Sequence, residues 1–526
     1  MNKVLTCIDL FAGCGGFSLG LHRAGIRVLA AVDFDPKAVE VYRANFADTP
    51  HVLCADLTKL TPEELEGLID TDSVDLIAGG PPCQGFSQVR QRDGANNGKR
   101  MVHDPRRTLY EQYFAYVEHF KPKVFVMENV LGIRSAAGGK YFTAVKTTAR
   151  KCGYRVYGET VDAWEFGVPQ KRRRQLIIGT RDDLPVYFHR GLITPAIDLQ
   201  DVTVGHAISD LPSLKAGTGN DPVEYDQKRR KKTEESPIAK RYLTEVLEIE
   251  KAQSLTAHTA RPHSDRDLRD FKKLREGETA KQALDRGETL EFPYDRDSFS
   301  DRYTRQHRGR LCSTIVAHLS KDGLMFIHPR QNRSLTPREA ARIQSFPDWF
   351  QFPVARTHQF RVIGNAVPPL IGQAVGQAVV NFLSKGDGMA INNSVIPNSI
   401  DEAAERVMQL VEAARSRSLR KMADDEFKLL WPSVAFVYPG LHPDDAADHG
   451  AERCEDPSED HDVLRQYPEL GAPYYINSGW PVALEPVVAE ACRRYEQQRL
   501  DEDEMYCAAA QMASLGIVPI YETSDT

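Results

Sequence analysis

The stretch DLFAGCGGFSLG, residues 9–20, decides the fold. The apolar run that enters it, VLTCIDLF (4–11), reads as a buried strand. Gly13, Gly15 and Gly16 break that strand, and helix-forming residues resume from Phe17. Glycines at a strand-to-helix turn let a ligand approach the backbone closely and meet its N–H groups. Twenty residues after Gly13, Asp33 stands at the end of a second apolar run, IRVLAAVDFD (26–35). A carboxylate at that place accepts hydrogen bonds from ribose hydroxyls. Ser18 replaces the third glycine of the dinucleotide fingerprint. The turn by itself therefore leaves three readings open: a dinucleotide, another nucleoside, or no ligand.

Working outward, strand-like and helix-like segments alternate over the first ~180 residues, the pattern of a parallel sheet with helices on its faces. PKAVEVYRANF (36–46) is a helix with proline in its first turn. VDLIAGG (74–80) and PKVFVMENV (122–130) are buried strands, with the amphipathic helix RRTLYEQYFAYVEHF (106–120) between them. GYRVYGETVDA (153–163) and RRRQLIIGTR (172–181) form a β-hairpin at the end of the sheet. The first domain is placed at 1–185. Residues 186–330 read as a separate, loop-rich and basic domain, with KRRKK (228–232) and HTARPHSDRDLRDF (258–271) standing out. Periodic structure returns with SLTPREAARIQSF (334–346), so 331–384 is assigned back to the first domain. There VPPLIGQAVGQAVVNFL (367–383) is a helix whose small residues permit close packing. Residues 385–526 form an acidic, mainly helical extension.

At 526 residues the chain is too long for one ordinary core. Its 41% hydrophobic and 27% charged residues suit a globular protein. No apolar stretch approaches the ~18 residues of a membrane helix, so no membrane partner is expected. Nine cysteines, none in a C-x-x-C pair, argue against a zinc site or a disulfide framework and for a reducing, cytoplasmic setting. The net charge of −7 conceals a division: 391–526 carries −15 and 1–390 carries +8. A basic body meets a polyanion; an acidic tail avoids one.

Two strand ends carry chemistry. GGPPCQGFS (79–87) holds Cys83 past the end of a strand, stiffened by Pro81 and Pro82 in front. The stretch behind it, QGFSQVRQRDGANNGKR (84–100), is polar and cationic, suited to closing over a polyanion. Glu128, in MENV, ends a very apolar run, so its carboxyl is expected in a partly desolvated cleft, placed to hold or donate a proton. Adjacent strands bring Glu128 and Cys83 together. Arg172 and Arg174 alternate along one strand and are expected on one face, where two guanidiniums suit a phosphate or carboxylate.

Taken in order, D-L-F-A-G-C-G-G-F, G-P-P-C-Q-G-F-S, E-N-V, Q-x-R-x-R (Gln170, Arg172, Arg174), R-E-A-A-R-I-Q-S-F-P and G-N-A-V-P-P resemble the cytosine-C5 DNA methyltransferases over about residues 4–384. The resemblance implies a Rossmann-like α/β methyltransferase sheet, with 186–330 as a smaller target-recognition domain. It implies S-adenosylmethionine as cofactor and no metal. Phe11, Gly13 and Gly15 would cradle the amino-acid part of that cofactor. Asp33 would take the ribose, Phe34 the adenine face and Asp56 the adenine amino group, with Pro82, Asn365 and Ala366 completing the pocket. Cys83 would add to C6 of a flipped-out cytosine. Glu128 would bind N3 and the exocyclic amine, and Arg172 and Arg174 would steady the base, its phosphate and Glu128. Double-stranded DNA is the implied partner, met by Gln84, Ser87, Arg90 and Arg92 behind the cysteine and by Arg305, Arg308 and Thr314 in the recognition domain. A monomer on DNA and a restriction–modification or other defence setting are expected, with the acidic extension docking a protein partner or acting as an autoinhibitory module. The alternative is a tRNA cytosine methyltransferase of the same fold; a recognition domain of ~145 residues favours duplex DNA.

Overall fold

The computed structural model describes residues 4–82, 109–136, 139–184, 188, 190–199, 201–291, 303–321 and 323–386. Cys83, Gln84, Ser87, Arg90, Arg92 and the extension beyond 386 lie outside the described residues. Seven strands form one sheet: β1 Thr6–Leu10, β2 Arg27–Asp33, β3 His51–Cys54, β4 Leu76–Gly79, β5 Val124–Asn129, β6 Tyr154–Asp162 and β7 Arg173–Arg181. Their order is β3-β2-β1-β4-β5-β7-β6. The pairs from β3 to β5 are parallel, while β7 runs antiparallel to both β5 and β6. The sequence-predicted hairpin is therefore β6–β7. Strand order reverses between β1 and β4, and the carboxyl ends of strands at such a reversal are where open α/β sheets hold ligands. The glycine turn leaves β1 at that point, and the Gly80–Pro82 segment leaves β4 beside it.

Helices α1 Gly16–Arg23, α2 Pro36–Asn45, α3 Pro62–Ile69, α4 Leu109–Phe120 and α5 Lys140–Lys151 cover the sheet. α2 begins where expected because Asp35 accepts from the Lys37 N–H and Pro36 fills the first turn. Ile8, Leu10, Val32, Ile77, Phe125 and Ile177 pack with Tyr113 and Val117 of α4 into a fully buried core. The Tyr113 hydroxyl donates to the Ile77 carbonyl at 2.9 Å, so its polar end is satisfied within that core. Among the strands and helices named so far, three had no reading in the sequence: β3, only four residues long; α3, opened by a Thr61–Glu64 capping box; and α5, with Val145 and Ala149 as its buried residues.

Residues 1–184 and 192–383 form one compact unit. A second unit, 185–191 with 384–526, lies almost wholly outside the described residues. Within the first unit the basic stretch is built of short helices and isolated bridges. It has a local core in which Phe271 of α6 (Asp265–Lys273) and Ala280 and Ala283 of α7 (Ala280–Asp285) meet Tyr303 and Ile327. The KRRKK run is a helix, Gln227–Thr233, with no buried residue: Lys228, Lys231 and Lys232 are exposed, whereas Arg229 donates to the Ser213 hydroxyl and Arg230 pairs with Glu234 at 2.8 Å.

The chain returns to the sheet through α8 Pro337–Ile343, α9 Arg356–Asn365 and α10 Pro369–Gly386. α10 lies close on α1. A Cβ added at Gly20 would strike the backbone of Pro369, Gly372 and Gln373, and one at Gly372 would meet the Phe17 carbonyl. The small residues thus serve the close packing expected of them. The stretch 356–384 is long and apolar enough to cross a membrane by length and composition, a correction to the sequence reading; 67% of its apolar window is buried inside the protein. Three arginines on or before α8 are fully buried. Arg342 pairs with Asp210 at 2.6 Å and Asp348 at 2.5 Å, and Arg333 with Glu339 at 2.7 Å. Arg338 donates to the carbonyls of Thr256 and Phe350. A buried charge is tolerated only when its partners are close and complete, so these contacts fix the basic stretch to the return segment. Burial alone would raise the Glu339 carboxyl, but the Arg333 guanidinium outweighs it and holds the group well below the usual carboxylate range.

Candidate active site

The turn after β1 depends on left-handed backbone. Gly13 and Gly15 have φ of 57° and 90°, and Phe11, a non-glycine residue, has 58°. Holding Phe11 there costs on the order of 1–3 kcal/mol, which the surrounding contacts must offset. Asp33 supplies one of them: its Oδ2 accepts from the Gly13 N–H at 2.8 Å, while Oδ1 accepts from the Asp35 N–H at 2.8 Å. Burial raises the Asp33 carboxyl, and the two N–H groups oppose that rise. A Cβ at Gly13 would project into open space, the room a ligand would occupy. Phe34, beside Asp33, is 72% exposed, an aromatic face left free at a strand end. Past β3, the Asp56 carboxylate accepts from the backbone N–H and the hydroxyl of Thr58 at 3.0 and 2.7 Å, which lowers its pKa. Asn365 is exposed at the end of α9, and Ala366 is buried directly after it. These residues fit a nucleoside: open space at Gly13, the Asp33 and Asp56 carboxylates at and just past neighbouring strand ends, and the exposed Phe34 ring.

Asp9 was missed by sequence reasoning. It is fully buried under the turn and accepts from the Ser18 hydroxyl at 2.5 Å, and Ser18 accepts from the Tyr42 hydroxyl at 2.8 Å. Here is a physical reason for serine where the dinucleotide fingerprint has glycine. Desolvation pushes Asp9 up to about 7. The available signal was an aspartate inside an otherwise apolar strand.

At the neighbouring strand ends, Arg174 Nε lies 2.8 Å from Glu128 Oε1, with the two side chains only 13% and 12% exposed. Glu128 pairs with Leu176 across the β5–β7 ladder, so Arg174 is two residues from its register partner. Gly80 sits against the pair: a Cβ there would be 3.3 Å from Glu128 Oε2. Asn129 donates to the Pro81 carbonyl at 3.2 Å and fastens the segment that leads to Cys83. Pro82, the last described residue before that cysteine, is half-buried at the same edge. The arrangement can hold a proton donor or acceptor in fixed orientation at the strand end.

Two expectations are corrected. Arg172 is enclosed by backbone carbonyls and is not held open beside Arg174 for a phosphate or carboxylate. It lies one residue before β7, is 1% exposed, and donates to the carbonyls of Ile315 and Ala366, each at 2.8 Å, and of Gly364 at 3.4 Å. Arg305 is no surface cation. It is 4% exposed, and its guanidinium binds the carbonyls of Phe271, Leu274, His328 and Gln331 and the Asn332 side chain. It holds the local core together, and none of its donors faces outward. Of the other residues expected at DNA, Arg308 is exposed and lies 3.7 Å from Glu276, and the half-buried Thr314 donates its hydroxyl to the Lys171 carbonyl. Gln170 is fully buried; its amide donates to the Ile343 carbonyl and Gln344, and its oxygen accepts from the Ile315 N–H.

The family model for C-5 cytosine-specific DNA methylases matches residues 5–381. The type II methyltransferase M.DdeI of Desulfomicrobium norvegicum is 34% identical, covering 71% of this chain and 88% of its own length. M.AgeI of Thalassovita gelatinovora is 33% identical, covering 71% and 98%. A crystal structure of a DNA modification methyltransferase encoded within an E. coli prophage superposes with a TM-score of 0.57 at 29% identity, covering 72% of this chain and 99% of that one. A glycine turn with its carboxylate at the sheet's switch point, a paired glutamate and arginine beside the proline segment, and these matches agree: the chain belongs to the cytosine-C5 DNA methyltransferases.

Proposed function

We propose that this DNA cytosine methyltransferase works by covalent catalysis on a flipped-out base within a specific duplex sequence. The observation that carries the reading is the Glu128–Arg174 pair, nearly buried at the end of β5 and against Gly80, where the segment leading to Cys83 begins. Cytosine C5 is a poor nucleophile. Addition of the Cys83 thiolate to C6 makes the ring enamine-like, and Glu128 delivers or holds the proton at N3 as negative charge develops there. Arg174 keeps the Glu128 carboxyl aimed at the base, and its charge steadies the base carbonyl and phosphate. When bound, S-adenosylmethionine supplies the electrophilic methyl group that C5 takes. Loss of the C5 proton and departure of Cys83 from C6 restore the aromatic ring.

The cofactor would be held by Phe11, Gly13 and Gly15 at its amino-acid end. Asp33 would take the ribose hydroxyls, Phe34 the adenine face and Asp56 the adenine amine, with Pro82, Asn365 and Ala366 closing the pocket. Each Asp33 oxygen accepts one backbone N–H and retains a lone pair for a ribose hydroxyl. A base inside a duplex is out of reach of these groups, so it must leave the stack at a cost of roughly a few kcal/mol. Residues 186–330 would read the sequence, with Arg308 on the phosphates, since phosphate contacts position and base-edge contacts specify. The type II names of the relatives support a restriction–modification setting. Bisulfite sequencing of DNA from cells expressing the chain tests this: 5-methylcytosine confined to one short motif is expected. No methylation above that of cells lacking the chain, or methylation of tRNA in place of duplex, would overturn it.

A further inference from the structure

We infer that Arg172 is a positioning residue that couples cofactor binding to duplex binding, by clamping the target-side stretch 312–315 to the cofactor-side stretch 364–366. The inference rests on the methyltransferase reading of the site. Arg172 Nη1 donates to the Ile315 carbonyl and Nη2 to the Ala366 carbonyl, each at 2.8 Å, with Gly364 within 3.5 Å of both nitrogens. The acceptors are backbone atoms from two segments that the methyltransferase reading assigns to different ligands. Stretch 312–315 runs beside 169–172: Cys312 N–H donates to Pro169, Lys171 N–H donates to Cys312, and the Thr314 hydroxyl donates to Lys171. It follows the exposed Arg308. Stretch 364–366 carries the exposed Asn365 and packs on the glycine turn, since a Cβ at Gly16 would meet Ala366 and Val367.

A fully buried guanidinium cannot trade a lost carbonyl for water, so displacement of either stretch leaves a charged donor unpaired. The low-energy arrangement therefore has both stretches seated together. Ordering one by its ligand spares the second ligand part of the ordering cost, which is positive coupling, and by linkage it acts equally in both directions. A weaker parallel path exists: Gln170 accepts from the Ile315 N–H and donates to Gln344, which donates to the Ile363 carbonyl. Lysine keeps the charge but offers one compact ammonium in place of a planar fork, so it cannot span both stretches.

The test is calorimetric titration of S-adenosylhomocysteine into the full chain, with and without a short duplex carrying the motif that bisulfite sequencing identifies. In the unaltered protein the duplex is expected to tighten binding by about 5-fold or more, within the usual range of coupling between sites. In Arg172→Lys the two affinities are expected to agree within about 2-fold, binding itself being retained. A purely structural role would weaken both titrations together and leave their ratio intact; an intact ratio in the variant, or no coupling in the unaltered chain, overturns the inference. Failure of the unaltered chain to bind S-adenosylhomocysteine at all would instead sink the methyltransferase reading. Should the variant not fold, hydrogen exchange on the unaltered protein decides: duplex alone is expected to slow exchange of the amides at 363–366, and unchanged exchange there overturns the inference.

Discussion

Glu128 and Asp9 are both carboxyls at the upper end of central strands, yet their surroundings assign them different work. Glu128 is opposed by Arg174 at 2.8 Å and opens towards Gly80. Glu128→Gln keeps its shape and removes its proton chemistry. Steady-state kinetics on duplex DNA are expected to show kcat reduced about 100-fold or more, the usual size of a general acid–base contribution. A variant within a factor of a few of the parent would remove Glu128 from the chemistry. Among the described residues no cation opposes Asp9, and burial lifts it from an ordinary 3.8 to about 7. Its proton is held more tightly in the folded chain than in the unfolded one. The stability it contributes is therefore complete below pH 3.8 and is lost as pH rises to about 7, at a slope of at most ~1.4 kcal/mol per pH unit. Asp9→Asn should flatten the fall in melting temperature between pH 4 and 7 relative to the parent; parallel pH profiles would contradict this. At this scale the sequence was legible where a charged residue closes an apolar run, as at Asp33 and Glu128. It misled at Arg172 and Arg305, because a cation's spacing along a strand or loop says nothing about which distant carbonyls will enclose it.

Long, strongly patterned elements were readable and short ones were not. The runs 26–35, 36–46 and 122–130 appear as β2, α2 and β5 within two or three residues of their expected ends. β3 is a four-residue edge strand with no buried position, so hydrophobic alternation had nothing to mark. α5 buries little and presents mostly lysine and threonine, which hid its periodicity. The close packing of α10 was legible from its small residues, though its partner α1 was not, and it sets a test. Gly20→Ala forces a methyl group into backbone that cannot rotate away. It is expected to cost about 1–3 kcal/mol by denaturant titration, the range for overpacking. A loss under ~0.5 kcal/mol, the range of neutral surface substitutions, would show that the helices separate easily.

Across the molecule, five of the six ordered motifs, and the described part of G-P-P-C-Q-G-F-S, are joined by contacts among the described residues because the chain returns. The segments after residue 333 cross back to the glycine turn, and Arg333, Arg338 and Arg342 bind the intervening basic stretch to them at buried sites. The basic stretch and the return segment are thus held in one unit by charges that tolerate little displacement. The division of charge, +8 over 1–390 against −15 over 391–526, favours a polyanion on the body. Every catalytic assignment converges on one event, transient bonding of Cys83 to the target ring. A duplex bearing 5-fluorocytosine at the methylated position, offered with S-adenosylmethionine, measures it directly, because fluorine blocks the final loss of a proton from C5. A denaturant-resistant protein–DNA adduct is expected with the unaltered chain and none with Cys83→Ala; no adduct in the first case, or an adduct that persists in the second, would contradict covalent catalysis by this cysteine.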